Sequence, residues 1–216
     1  MRRPFDLSVY LVTDRPLCLG RDLLDIVGRA VRGGATMVQL REKCAATREF
    51  VELARALKAL LAPLGVPLLV NDRIDVALAA GADGAHVGQG DMHALDARRI
   101  LGPSAILGLS TDTPEQALEA EKLPVDYYGV GPVFPTATKT DFSHLPWSVE
   151  GLRALRGRIT RPMVGIGGVD ASNAAQIMAA GADGVAVVSA ICSAQSPEEA
   201  ARALARAVQA GRASRA

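Results

Sequence analysis

Eight short apolar runs, each bounded by Gly, Pro or Asp, recur along the chain, and stretches of helical period fall between them. The runs occupy residues 8–13, 36–41, 67–71, 84–88, 105–110, 125–131, 162–167 and 184–189. Apolar runs this short and this continuous read as strands buried on both faces of a parallel sheet. The stretch REFVELARALKALL at 48–61 repeats its apolar residues at helical spacing, as do 172–180 and 197–208. Pro114 and Pro197 sit where a first helical residue belongs, behind Thr113 and Ser196 as caps. Eight strand–helix units are the number that closes a (β/α)8 barrel. An open doubly wound sheet usually has fewer strands, and its Gly-rich dinucleotide fingerprint is missing after the first run. The expectation is an α/β chain forming one (β/α)8 TIM barrel over residues 1–216, with a frayed tail at about 211–216.

An internal echo supports this frame. GADGAHV at 81–87 returns as GADGVAV at 181–187, and GGATMV at 33–38 is a weaker copy. Each marks a helix that ends at Gly and turns into a strand. Common turn chemistry accounts for the echo, so it bears on fold alone.

Composition narrows the function. A formal charge of +1 gives no footing for general nucleic-acid binding. Cys18, Cys44 and Cys192 are odd in number and in no CxxC spacing, which suits free thiols in a reducing compartment. No leader-like apolar segment and no apolar run of about 18 residues is present, so a soluble, cytoplasmic protein without a membrane partner is expected.

The polar residues gather where strands end, the face that carries chemistry in this barrel. Gln39, Arg41 and Lys43 alternate at the end of the second strand and so face one way, two cations and an amide suited to a polyanion. Asn71 and Asp72 close the third strand, and GQGD at 88–91 follows the fourth. Asp72 and Asp91 could hold a hard cation such as Mg2+ against phosphate oxygens, or could simply cap the next helices. Ser110 ends the fifth strand as a hydroxyl donor or another cap. Gly167 and Gly168 after the seventh strand, and Val188 and Ser189 after the eighth, suit backbone contacts to a phosphate or plain turn geometry. The loop after the sixth strand, GPVFPTATKTD at 131–141, is longer than such loops usually are and reads as a lid over an anion. His86 is expected in the wall or core, His93 and His144 in exposed loops. No nucleophile–histidine triad or zinc spacing appears.

In their order and placement these motifs resemble the thiamine phosphate synthase family: QLREK at 39–43, ND at 71–72, GQGD at 88–91, GPVFPTATKTD at 131–141, GIGG at 165–168 and VVSA at 187–190. The resemblance spans nearly the whole chain. It implies a transferase that joins hydroxymethylpyrimidine diphosphate to a thiazole phosphate, carboxylated or not, and releases pyrophosphate. It implies diphosphate contacts from Gln39, Arg41, Lys43, Asn71 and Lys139, with Leu40 and Glu42 inside the same run, and Mg2+ on Asp72 and Asp91. Ser110 would stand near pyrimidine and diphosphate. Thr136, Ala137 and Thr138 would meet the thiazole phosphate, joined by backbone at Gly167, Gly168, Val188 and Ser189. Arg41, Lys43, Ser110 and Lys139 would carry the catalysis.

A dissociative substitution needs positioning and charge stabilisation rather than a protein nucleophile, which agrees with the missing triad. One departure stands out. Asp112 occupies a place where many relatives are expected to carry His, and it is expected in a supporting or surface position. Two other readings stay open: a thiazole tautomerase on the same barrel, which should lack the combined QLREK, ND and TATKTD elements, and a non-catalytic phosphate-binding barrel. A homo-oligomer is possible.

Overall fold

The computed structural model of the chain describes residues 4–136 and 146–215. Eight parallel strands close a barrel in sequence order: β1 (Val9–Val12), β2 (Met37–Leu40), β3 (Leu68–Asn71), β4 (Gly84–Val87), β5 (Ile106–Thr111), β6 (Tyr127–Val130), β7 (Met163–Ile166) and β8 (Gly184–Val187). Each lies within a residue or two of its expected run. The helices between them are α1 (Leu23–Arg32), α2 (Thr47–Leu61), α3 (Ile74–Ala80), α4 (Ala94–Leu101), α5 (Pro114–Ala120), α6 (Ser148–Arg156) and α7 (Ala174–Ala179). A short α8 (Ser189–Cys192) and the long α9 (Pro197–Ala213) follow β8. Thr113 and Ser196 cap α5 and α9 by accepting from Gln116 and Glu199 backbone N–H groups.

The period of two along each strand divides the core. One set of side chains, including Val9, Leu11, Val38, Leu40, Val70 and Val87, packs outward against the helices. The alternate set, including Tyr10, Met37, Leu69, Ile106, Tyr127, Val164 and Ala186, fills the barrel interior. Continuing the inward phase up each strand in steps of two brings Gln39, Asn71, His86, Ser110, Ile166 and Val188 to the mouth, where they line a common cavity.

The GAD echo has a specific physical meaning. Asp83 Oδ2 accepts from the Leu68 N–H at the start of β3 and pairs with Lys58 of α2 at 2.6 Å. Asp183 does the same for Met163 of β7 and Arg156 of α6. Asp126, outside the echo in sequence, repeats it for Leu107 of β5 and Arg98 of α4 at 2.6 Å. In the weaker copy, Thr36 Oγ1 takes the carboxylate's place and accepts from the Val9 N–H of β1. Each unit ties a strand's start to its successor, far from the mouth.

The tail differs from expectation. The helix α9 continues to Ala213, with Gly211 buried at a point where even a Cβ would come within 2.6 Å of the Met178 Cβ. Apolar periodicity is absent there because the contact is made by a glycine, so packing of α9 on α7 was invisible to a periodicity argument.

Candidate active site

Two adjoining cavities open at the C-terminal ends of the strands. The first, about 470 Å³, is lined by Gln39, Arg41, Lys43, Asn71, Asp72, Asp91 and Ser110 among others. The second, about 350 Å³, is lined by Thr136, Gly167, Gly168, Val188, Ser189 and again Ser110. Ser110, Asp112, Gly129, Ile166, Ala186 and Val188 belong to both and form the boundary between them.

In the first chamber, β2 delivers Gln39, Arg41 and Lys43 on one face, as their alternation requires. Arg41 is fixed by Asp14 at 2.9 Å, and its N–H donates to Thr13 Oγ1. Its guanidinium is thereby held in place beyond the end of β1. Lys43 Nζ lies 2.8 Å from Asp72 Oδ2. Asp72 has φ +62°, a left-handed conformation that is uncommon outside Gly and more accessible to Asp than to most residues. It does not cap α3, whose N-cap is Arg73. Asp91 does not cap α4 either; His93 does, through Nδ1. Asp91 Oδ2 instead accepts from the Gly88 N–H at 2.7 Å. The Asp91 carboxyl is pushed above the usual aspartate range, first by burial and then by the Asp72 carboxylate beside it, while the Gly88 N–H and Lys43 work the other way. Two neighbouring carboxylates beside cations make up a dense charge constellation at the barrel mouth.

Leu40 and Glu42 fall on the opposite phase. Leu40 is buried among residues facing the helices, and Glu42 pairs with Arg15 at 2.9 Å in a separate surface depression. Neither side chain lines the two chambers, so within the QLREK run the side chains that line them are Gln39, Arg41 and Lys43. Off-phase residues of a strand end cannot turn inward without breaking the pleat.

In the second chamber, Gly167 and Gly168 have φ +92° and +65°. A Cβ on Gly168 would lie 2.6 Å from the Pro135 oxygen, and one on Gly167 would lie 2.7 Å from the Pro132 Cβ. The loop after β6 therefore rests directly on this turn. Val133 N–H donates to the Ile166 oxygen and Phe134 N–H to the Gly167 oxygen. Thr136 lies on the chamber wall. Ala137, Thr138, Lys139 and His144 lie outside the described residues.

Ser110 does not cap α5, whose N-cap is Thr113. Its Oγ stands 2.9 Å from His86 Nε2. Two residues carry more of the site than the sequence indicated. Asp112 lines both chambers rather than a remote surface. Its expected supporting position becomes a place in the wall itself, because β5 runs one residue further than its apolar run. Tyr10, a fully buried strand residue, also reaches the first chamber.

Residues 9–191 match a family model described as thiamine monophosphate synthase. The chain belongs to that family. It is 55% identical over 212 residues to the thiamine-phosphate synthase of Xanthobacter autotrophicus, covering 98% of this chain and 100% of the relative. It is also 55% identical over 191 residues to the thiamine-phosphate synthase of Albidiferax ferrireducens, covering 88% and 87%. Among solved structures, the thiamine phosphate pyrophosphorylase from Pyrococcus furiosus superposes with a TM-score of 0.87 at 38% identity, over 95% of this chain and 97% of that one. A 3-hexulose-6-phosphate synthase (TM-score 0.67, 18% identity) shares the barrel. Family membership makes the chain a transferase of thiamine biosynthesis, and the alternatives of a tautomerase or a binding barrel fall away.

Proposed function

We propose that the two chambers hold the two substrates of this reaction side by side: hydroxymethylpyrimidine diphosphate in the first and the thiazole phosphate, carboxylated or not, in the second. The observation that carries this is Ser110, one hydroxyl in the wall common to a cation- and carboxylate-lined chamber and a glycine-lined one. Two anionic groups at a fixed separation are what such a pair of chambers suits.

The methylene–oxygen bond to diphosphate breaks, the thiazole nitrogen donates its electron pair to the methylene carbon, and pyrophosphate leaves. Carbon dioxide is lost as well when the thiazole is carboxylated. Arg41, Lys43 and Asn71 bind the diphosphate and offset the charge that grows on it, with Lys139 assigned to the same role from its motif. Gln39 lines the chamber floor. Thr136, Thr138 and the backbone at Gly167, Gly168, Val188 and Ser189 orient the thiazole phosphate for attack, with Ala137 in the same loop. Such positioning can supply much of the rate acceleration without a protein nucleophile.

Asp72 and Asp91 would hold Mg2+. The donor set fits: two hard carboxylates, the Asp91 one with its pKa raised first by burial and then by Asp72 beside it. Among the described residues no group of three or more His, Cys, Asp or Glu could hold a metal, so substrate oxygens and water would complete the shell. When bound, Mg2+ supplies charge neutralisation to the leaving diphosphate. A cytoplasmic location is supported by three free thiols, and no helix among the described residues is long and apolar enough to cross a membrane.

The test is Asp91→Ala assayed for pyrophosphate release with both substrates and Mg2+. Turnover is expected to fall by about 10³-fold or more with the fold intact. Near-normal turnover would remove the metal assignment.

A further inference from the structure

A chain of hydrogen bonds crosses the barrel interior under the two chambers. Gln39 Nε2 donates to Tyr10 Oη at 2.6 Å, and Tyr10 Oη lies 2.8 Å from Tyr127 Oη. Tyr127 Oη is 2.9 Å from His86 Nδ1, and His86 Nε2 is 2.9 Å from Ser110 Oγ. Five strands contribute one residue each. The backbone is shaped around this chain: His86, Gly108 and Tyr127 share one register across β4, β5 and β6. A Cβ on Gly108 would overlap both the Tyr127 hydroxyl and His86 Nδ1. A Cβ on Gly129 would sit 3.1 Å from His86 Cε1. The absence of a side chain at Gly108 is what allows the two rings to meet above β5.

The chain has a direction. An amide nitrogen only donates, and each phenol has one hydrogen to give. Burial raises the pKa of both Tyr10 and Tyr127, so both keep that hydrogen. Tyr10 accepts from Gln39 and so donates to Tyr127, which then donates to His86 Nδ1. A neutral imidazole that accepts at Nδ1 carries its hydrogen on Nε2 and donates it to Ser110 Oγ. The Ser110 hydrogen is left to point away from His86, towards the chambers.

We propose that Gln39, Tyr10, Tyr127 and His86 act as a polarity relay that holds Ser110 as a hydrogen-bond donor to an acceptor atom of the bound ligand, a phosphate oxygen or an unprotonated ring nitrogen. Tyr10, Tyr127 and His86 are positioning residues, acting through Ser110. The inference deepens the assignment of Ser110 as a substrate contact and rests on it.

The test reads the tautomer directly. Full-length protein carrying 15N-histidine contains three histidines, and His86 is assigned by the signals missing in His86→Gln. In the ligand-free protein, long-range 1H–15N spectra are expected to show His86 neutral, protonated at Nε2 and bare at Nδ1. Gln39→Glu places an acceptor-only group at the head of the relay and is expected to move the His86 proton to Nδ1. Tyr127→Phe is expected to lower kcat about tenfold, the loss of roughly one hydrogen bond's worth, with KM within about twofold. An Nδ1-protonated or doubly protonated His86 in the unsubstituted protein, or a His86 signal unmoved by Gln39→Glu, would overturn the relay alone. Full turnover in Ser110→Ala would instead remove the substrate contact, and the relay's purpose with it.

Discussion

Lys43, just past the end of β2, reaches over the barrel mouth to place its Nζ 2.8 Å from Asp72 Oδ2 in the turn after β3. The Lys43 side chain is 55% exposed and that of Asp72 23%. An ion pair this wet contributes little to folding. Asp72 also holds a left-handed φ, which costs free energy rather than releasing it. Both observations agree with the ligand-binding role proposed for the pair. Lys43→Met should leave the melting temperature within about 2 °C of the parent while kcat/KM falls by roughly 10²-fold. Thermal denaturation beside steady-state kinetics checks both halves.

Asp91 should trade stability for function. Its native pKa is raised, chiefly by burial and then by Asp72. The sign follows from linkage. The raised value favours folding below the ordinary aspartate range, and this contribution is lost as pH rises through the raised native pKa. At neutral pH without metal, ionised Asp91 therefore costs stability. Asp91→Asn keeps an acceptor for the Gly88 N–H and should melt about 1–3 °C higher than the parent at pH 7, yet lose activity. That gain should shrink towards pH 3. Melting curves across this range, without divalent ions, would reveal it. An Asn variant that melts lower at pH 7 would speak against the crowded pair.

Lys139 belongs to the TATKTD motif, outside the described residues. Lys139→Ala is expected to reduce kcat by about 10²-fold or more if, as proposed from its motif, the lysine offsets the charge of the departing diphosphate. Single-turnover measurement of pyrophosphate release separates this from slow product release.

At the other end of the barrel, Asp126 lies 2.6 Å from Arg98 and accepts from the Leu107 N–H. Asp126→Ala leaves a largely buried guanidinium without its carboxylate. It should cost about 3 kcal/mol of unfolding free energy. Urea denaturation measures this. KM of the folded enzyme should stay unchanged, since the pair lies far from the mouth.

The strands and the inward trio Gln39, Arg41 and Lys43 were legible because a period of two depends on local sequence alone. The same rule turns the Leu40 and Glu42 side chains away from the chambers, a distinction that family likeness, which carries the whole run, does not make. His86 was legible as a strand residue but not as part of a relay. Its partner Tyr127 lies two strands away, and the contact depends on Gly108 standing between them in register. Register across a barrel is set by packing of distant segments, which one strand's sequence does not encode. Asp112 was misplaced because β5 extends to Thr111, one residue past its apolar run. Asp126 escaped the echo at 81–87 and 181–187 because no GA precedes it, although it makes the same tie.

The most direct test of the two-chamber account is pyrophosphate release by the purified protein, measured with each substrate alone and with both, with and without Mg2+. The account expects rapid release only when hydroxymethylpyrimidine diphosphate, a thiazole phosphate and Mg2+ are all present, with thiamine phosphate formed in equal amount. Isomerisation of the thiazole without pyrophosphate release, or full turnover in the presence of a chelator, would contradict it.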